Sequence, residues 1–572
     1  MKRFEPYVFL RELATRWDAL AFIVVLGLIV FLGETSRGLF APLSQLELVP
    51  LSLDPRHLPE YAARTTFRML AGLALSLLFT LTYATWAAKS ERAGKILVPI
   101  LDILQSVPIL SFISITVVFF LSLAPGRVLG AEFAAIFAIF TSQAWNMAFS
   151  FYQSLRTVPA ELTEAAESFR LSPWMRFWQL EVPFGMPALI WNMMMSMSGG
   201  WFFVVASESI SVGHTTVALP GIGSYIAFAI AQKNLHAIFW AIFTMLIVIL
   251  LYDQVMFRPL VAWVDRFRVE QEPGVRVPDS WALTMMRRSR LVQAATVAFH
   301  AGVLWTSRAV PRTDPPQAES RIRPRRSLDL LWVSLIIAAA VAGLWHIVAV
   351  LIVNTPIHEM LQVCALGALT MLRVGVLIAL ASLVWVPIGV WVGMRPQAAQ
   401  LVQPVAQFMA AFPANLLFPL AVYGIVAWKL NPDIYLSPLM ILGTQWYILF
   451  NVIAGASAIP AEMRYVAANF GITGWLWWRK VALPAVLPFY VTGAITASGG
   501  SWNAAIVAEL ASWGDTRVQA RGLGAYIAEA TTAGDFHRIV LGTATMCVFV
   551  VAVNRLLWRP LYYYAERKYR LT

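Results

Sequence analysis

Residues 154–208 return, altered, as residues 455–509, displaced by 301 positions. Pro159 falls on Pro460, Glu161 on Glu462, Phe169 on Phe470, Trp174 on Trp475 and Pro183 on Pro484. Pro187 falls on Pro488, Trp201 on Trp502 and Glu208 on Glu509. The register continues downstream without a gap: Gly221 and Gly223 meet Gly522 and Gly524, Tyr225 meets Tyr526, His236 meets His537, and Arg258-Pro259 meets Arg559-Pro560. Upstream the displacement is 305, with Arg68 on Arg373, Pro99 on Pro404 and Pro108 on Pro413. A loop between the third and fourth segments absorbs the difference. Solenoid units run ~20–50 residues, so this is a duplicated domain rather than a stack of small repeats.

Each copy must fold as a set of membrane helices. The chain is 59% hydrophobic and 13% charged, where a soluble protein carries about a quarter charged residues. Apolar runs of ~20 residues, long enough to cross a bilayer as helices, recur at 18–33, 67–88, 96–123, 129–151, 183–205 and 237–257. They recur again at 328–353, 366–393, 404–426, 436–453, 484–505 and 539–557. The expected fold is an all-α polytopic membrane protein of about 12 spans. Residues 34–64 read as a polar, proline-bearing loop, and Pro99/Pro108 and Pro404/Pro413 as breaks within spans. The first apolar run follows Lys2, Arg3, Arg11 and Arg16 without a small-residue cleavage site and reads as a retained span. The division is 1–60 (N-terminal span and outer loop), 61–265 (first half), 266–327 (linker) and 328–572 (second half). The linker holds twelve Arg against five acidic residues between 266 and 326. Within it residues 281–305 suit either an interfacial helix on anionic headgroups or a solvated tether.

Basic residues set the orientation. With the N-terminus inside, Lys89, Arg92, Lys95, Arg156, Arg170, Arg176, the linker, Arg395, Arg464, Arg479, Lys480 and the tail Arg567, Lys568, Arg570 all fall on one side. That side is cytoplasmic, as are both termini, and the net charge of +12 reflects membrane topology rather than nucleic-acid binding. Six spans per half is even, so the halves are related by a pseudo-twofold axis along the membrane normal. Polar loops 157–179 and 458–480 then face the cytoplasm.

Residues 160–170 read Ala-Glu-Leu-Thr-Glu-Ala-Ala-Glu-Ser-Phe-Arg. Alanine and glutamate favour helix, Pro159 suits the first turn, and Glu161 and Glu164 lie near the positive helix end. By itself this is a surface helix. Its recurrence, and the hydrophobic-Pro pair that follows, give it more. The stretch resembles the EAA loop of ABC-importer permeases, in which Glu-Ala-Ala, a Gly four positions after the last Ala, and a hydrophobic-Pro pair mark the helix that docks on the ATPase subunit. Glu164-Ala165-Ala166 and Val182-Pro183 match in the first copy, with Arg170 where the family has Gly. Gly471 and Leu483-Pro484 match in the second, where Tyr465-Val466-Ala467 replaces Glu-Ala-Ala; Glu462 and Ala467 join them as candidates for coupling to the ATPase. Ala508-Glu509 with Gly522-Leu523-Gly524-Ala525-Tyr526, and Ser207-Glu208 with Gly221-Ile222-Gly223-Ser224-Tyr225, are similar to the nitrate, sulfonate, taurine and bicarbonate group of these permeases.

The resemblance implies two type I ABC-importer permease domains fused in one chain, in the bacterial inner membrane. It implies two ATP-binding subunits, holding ATP and Mg, on the cytoplasmic loops. It also implies a periplasmic or lipid-anchored protein that delivers a small, anionic solute. This chain has no phosphate-loop motif, no nucleophile–base constellation and no metal-spaced His/Cys cluster, so it is read as a transport subunit with no cofactor or metal of its own. Pathway or gate candidates are Arg68, Arg373, Glu208, Glu509, Trp201 and Trp502. Glu208 and Glu509 at span ends need a partner or water, and the competing reading of both is a structural pair. Arg68 and Arg373 either attract anions or snorkel to the interface. Gly199-Gly200 and Gly499-Gly500 suit close helix packing, and His236 and His537 suit packing or capping. The rival class is an ion-coupled secondary transporter with two parallel six-helix repeats. That class calls for intramembrane ionisable residues, and few charges fall mid-span.

Overall fold

The computed structural model describes residues 51–264 and 356–569, except 107, 213 and 214, together with isolated positions between 283 and 345. The expected spans at 18–33 and 328–353 and the interfacial helix at 281–305 lie wholly or mostly outside the described residues. In the first half α1 (Leu58–Phe79) continues through a π-helical turn to Lys89. Then come α2 (Glu91–Ser106), α3 (Ile109–Leu123), α4 (Val128–Arg156), the loop helices α5 (Ala160–Ser168) and α6 (Pro173–Arg176), and α7 (Val182–Glu208). A hairpin of β1 (Ser209–Val212) and β2 (Thr215–Ala218), a short α8 (Ile222–Ala231), α9 (Leu235–Tyr252) and α10 (Arg258–Val264) complete it.

The second half repeats the order with α11 (Ile357–Gly393), α12 (Pro396–Ala411), α13 (Phe418–Ala427), α14 (Pro432–Tyr435) and α15 (Gln445–Ser457). Its loop helices are α16 (Ala461–Asn469) and α17 (Gly474–Trp477), followed by α18 (Leu483–Ala508) and the hairpin β3 (Leu510–Trp513)–β4 (Thr516–Gln519). α19 (Leu523–Ala533), α20 (Phe536–Val553) and α21 (Arg559–Tyr569) close the chain.

Among the described residues, seven helices are long and apolar enough to span a membrane, or up to nine if each of two bent pairs is one span. The fourth span differs between halves: α4 is continuous, but its counterpart bends by 44° between residues 432–440 and 445–457. Residues 404–426 were expected as one proline-bearing span. The break falls at Pro413, where 396–411 and 414–427 meet at 68°. Pro404 and Pro99 sit inside unbroken helices. Helix α1 begins at Leu58, inside the stretch expected to be loop. The hairpins are small departures from all-α that apolar periodicity did not mark.

Local chemistry sets several ends. Asn234 and Asp535 cap α9 and α20, accepting from Ala237 N (3.1 Å) and Arg538 N (3.2 Å). The capping expected of His236 and His537 thus belongs to residues two positions earlier, and both histidines are exposed. Matched π-helical turns precede both fifth spans (Phe177–Glu181 and Trp478–Ala482) and extend both sixth spans (Asp253–Phe257 and Asn554–Trp558). Glycine permits the closest approaches: a Cβ on Gly200 would sit 2.5 Å from Met69 and 2.6 Å from Gln143, so α7, α1 and α4 meet backbone to side chain.

The halves meet reciprocally. Asn503 on α18 accepts from the Ile109 backbone N–H at the start of α3 (2.7 Å). Asn415, after the matching Pro413 break, donates to the Phe202 carbonyl on α7 (3.1 Å). Positions 110/415 and 202/503 correspond in the repeat, so the same two sites touch in both directions. Ser198 and Tyr447 share a hydrogen bond of 2.7 Å across the same interface. At the hairpin end Gly514 N–H donates to the Ile230 carbonyl (3.1 Å) and Lys233 approaches Asp515 (3.5 Å). The hairpins therefore lie together at one end of the bundle, and the loop helices at the other.

Asn503→Leu removes the acceptor of a capless helix start and is expected to lower stability by about 1–3 kcal/mol. Asn415→Leu leaves a carbonyl that keeps its place in the α7 ladder and is expected to cost no more than about 1 kcal/mol. Thermal unfolding in detergent checks the order.

Candidate functional site

At the loop end, α5 and α16 are built alike. Each starts after a proline in extended conformation, Pro159 or Pro460, with an acid, Glu161 or Glu462, in the first turn. Each ends in the same two-bond closure. In the first copy Arg170 N–H reaches the Glu167 carbonyl (2.8 Å) and Leu171 N–H the Ala166 carbonyl (3.1 Å). In the second, Gly471 reaches Ala468 (3.0 Å) and Ile472 reaches Ala467 (2.8 Å). This Schellman closure puts the residue after the cap in left-handed conformation: φ is +51° at Arg170 and +62° at Gly471. The glycine of the motif is thus a backbone requirement, and Arg170 meets it with strain.

Ala166 and Ala467 are the buried residues of their helices, which accounts for a small side chain there. Glu164 and Ala165 face outward. Phe169 and Phe470, at the closures, are 79% and 78% exposed. The outward faces then diverge. The first carries Glu161, Glu164 and Glu167; the second carries Tyr465 and Val466, with Trp475 beside them. Pro183 and Pro484 occupy the first turn of α7 and α18, directly after the π-helical turns. The short helices α6 and α17 therefore form one continuous lever with their spans, from Pro173 to Glu208 and from Gly474 to Ala508, with α5 and α16 set off by their closing turns.

At the hairpin end lies a buried ionic cluster. Glu208 closes α7 with no exposed surface. Its Oε2 accepts from Gly223 N–H at the start of α8 (2.7 Å), and its Oε1 accepts from Thr65 Oγ1 and Arg68 Nη1 (2.7 Å each). Arg68, 1% exposed, places its other edge on Glu132 in a two-pronged pair, 2.6 Å from Nε and 2.7 Å from Nη2. Arg68 Nη1 also reaches the Pro220 carbonyl (3.0 Å). Thus Arg68 does not snorkel: the guanidinium fork matches two carboxylates and a carbonyl.

The second copy repeats the cluster. Glu509 accepts from Gly524 N–H (2.8 Å), Thr370 Oγ1 (2.9 Å) and Arg373 Nη1 (3.2 Å), while Arg373 Nη2 reaches Asp433 (2.8 Å). Glu132 and Asp433 escaped the sequence reading; extending the 301-residue register upstream superposes them. The carboxylate of Glu208 or Glu509 fills the space where a Cβ on Gly221 or Gly522 would stand. A Cβ on Gly223 or Gly524 would strike the carbonyl of Val205 or Ala505. The Gly-x-Gly spacing is therefore the imprint of an acid seated on a helix N-terminus, where backbone N–H groups and the helix dipole favour negative charge. The two clusters differ in closure, since side chains of Arg373 and Asp433 are 11% and 38% exposed. Trp201 and Trp502 are buried beside sixth-span rings, Tyr252 (5.6 Å, edge-on) and Phe549 (6.4 Å, stacked). Among the described residues no group of acids, His and Cys could hold a metal ion.

Two like bundles joined by reciprocal contacts, each with a closed surface helix set just ahead of its lever, define a duplicated membrane permease. The chain belongs to the family of binding-protein-dependent transport system inner membrane components, whose pattern matches residues 66–265 and again 385–571. It is similar to the bicarbonate transport system permease protein CmpB of Synechococcus elongatus, 29% identical over 181 residues, 32% of this chain and 60% of that protein. It also resembles the glycine betaine/carnitine transport permease protein GbuB of Listeria monocytogenes, 26% identical over 33% of this chain and 62% of that protein. Against the nitrate import permease protein NrtB of Leptolyngbya laminosa it is 24% identical over 33% of this chain and 64% of that protein. The chain thus spans 60–64% of the length of these relatives.

Removing the arginine while leaving both acids strands buried charge, at about 3–5 kcal/mol. Arg68→Met is expected to reach that cost and Arg373→Met, where Asp433, one of its two acids, is 38% exposed, to fall clearly below it. Thermal unfolding of the purified variants reads the difference.

Proposed function

We propose that this chain is the transmembrane subunit of an ATP-driven importer and supplies both permease halves. Two separate ATP-binding subunits, carrying ATP and Mg, dock on α5 and α16 from the cytoplasm. A solute-binding protein delivers a small, anionic solute at the hairpin end. Both termini are cytoplasmic, and the chain itself has no ATPase site. The observation that carries the reading is the twin loop: each surface helix is closed by a Schellman turn, presents an exposed Phe at its tip, and sits just ahead of a lever that continues into a span. Glu161, Glu164, Ala165 and Arg170 in one loop, and Glu462 and Gly471 in the other, form the grip; Ala166 and Ala467 seat it. Pro183 and Pro484 start the spans that carry its motion.

Closure of the ATP-binding pair draws the loops together. The bundles then rock as bodies about the reciprocal interface, opening the central path to one side or the other. The clusters of Arg68 with Glu208 and Arg373 with Glu509 hold the hairpin end together as a gate frame. Their charges are consumed by each other and by helix ends, so these two clusters offer no free ion relay among the described residues, which disfavours an ion-coupled mechanism. The anionic solute is drawn from the Ala-Glu and Gly-Leu-Gly-Ala-Tyr pattern, and relatives named for bicarbonate and nitrate support it. Relatives named for betaines supply the competing solutes for a test.

Glu164→Lys and Gly471→Tyr are expected to leave the ATP-binding subunits hydrolysing ATP while transport in proteoliposomes falls at least about tenfold, a barrier change of ~1.4 kcal/mol. Normal transport by both variants, or uptake driven by an ion gradient in ATP-free vesicles, contradicts the proposal.

A further inference from the structure

An apolar slot of about 550 Å³ lies on the flank of the second half, between α11 and the α17–α18 lever. Ser382, Pro387, Trp475, Trp478, Leu487 and Tyr490 are among its walls. Its two hydroxyls, on Ser382 and Tyr490, bond each other at 3.0 Å, so they offer little to a polar guest. The remaining walls are hydrocarbon and indole. Between the lining residues Trp478 and Leu483, the same turn carries Arg479 and Lys480, both exposed and in no ion pair among the described residues. Arg395, two residues beyond the end of α11, lies toward the same end of the bundle, stacked on Trp391 (4.5 Å).

The first half closes the equivalent place. Phe177 and Leu189 occupy the positions of Trp478 and Tyr490, and both are buried. Lys89 lies over the Phe177 ring (5.2 Å) and pairs with Glu181 (2.8 Å). In the second half Met394 replaces Lys89, Ala482 replaces Glu181, and Trp178-Gln179 becomes Arg479-Lys480. The pairing of Glu181 with Lys89 and Arg176 has been lost with its acid and both its cations, Trp477 standing for Arg176, and two cations without an acid partner among the described residues appear at positions 479 and 480.

We propose that this slot binds one acyl chain of an anionic phospholipid, with Arg479 and Lys480 on its phosphate headgroup. An apolar slot whose lining turn carries two exposed cations matches a single molecule with a hydrocarbon tail and a negative head. A free phosphate would leave the slot empty, and a neutral lipid would leave the cations unmatched. The site abuts the turn that joins the second loop helix to its span, whereas the first half braces the same turn with its own Lys89–Glu181 pair. The inference needs only the membrane-spanning fold and stands whether or not the loops bind ATPases.

The test is photo-crosslinking in nanodiscs with a diazirine-tailed phosphatidylglycerol or phosphatidylcholine, mapped by mass spectrometry. The expected result is adducts on 379–387 and 475–490 with the anionic lipid, at least fivefold fewer with the neutral one, and an equal drop in the Arg479→Gln/Lys480→Gln protein. Inorganic phosphate in excess leaves the adducts in place. A slot-filling variant, Leu487→Trp, loses them while both cations remain. Equal labelling by both lipids, or labelling unchanged in the double variant, overturns the proposal and makes the slot ordinary annular contact.

Discussion

A carboxylate buried at the far end of each fifth-span helix organises its half of the molecule. Glu208 and Glu509 each terminate one helix, seat the N-terminus of the next, and fix an arginine on the second span. A lone buried charge would be prohibitive. Here the charge is met by a guanidinium, a hydroxyl and backbone N–H groups together. Four segments that are distant in sequence are tied at one point, and the intervening hairpin is left to reach across to the other half. Arg68 is shared between Glu132 and Glu208, and Arg373 between Asp433 and Glu509, and the dipole of the short helix that each glutamate caps adds to the one cation.

The opposite end follows different physics. There the loop helices rest on short-range rules: a proline start, an acid in the first turn, a left-handed closing residue and one buried alanine. Little else holds them, and their outward faces remain free. Continuity with the spans through the π-helical turns belongs to α6 and α17, and the closing turns set α5 and α16 directly ahead of them. The two copies differ here, with an acidic face and Arg170 in one and an aromatic face and Gly471 in the other. At the hairpin end the glutamate–arginine pairing recurs in both halves, while the second cluster is more open and its fourth span bends.

Much of this was legible in the residues. Apolar run length gave most spans, and the displaced repeat gave two like halves and the matched loops. Pro159, Glu161 and the alanines sufficed for a helix, because their rules are local. What escaped depends on distance or on cooperation. Arg68 looked like an interfacial arginine because its partners lie 64 and 140 residues away. Glu132 and Asp433 differ in type and were hidden upstream of the segment first aligned. The break at Pro413, absent at Pro404, reflects where the other half supplies a contact; proline content alone does not distinguish them. The hairpins carry no alternation strong enough to stand out between two apolar helices.

The central claim is that each half moves as a body, driven at its loop helix and hinged at the reciprocal interface. Paired spin labels test it most directly, placed at Glu164→Cys and Tyr465→Cys in a chain whose Cys364 and Cys547 are replaced by serine. With the ATP-binding subunits present, nucleotide is predicted to shorten the distance between the loops. A control pair within one half, Glu164→Cys with Lys233→Cys, is predicted to hold its distance. An inter-loop distance indifferent to nucleotide, or a change confined to the within-half pair, contradicts the account.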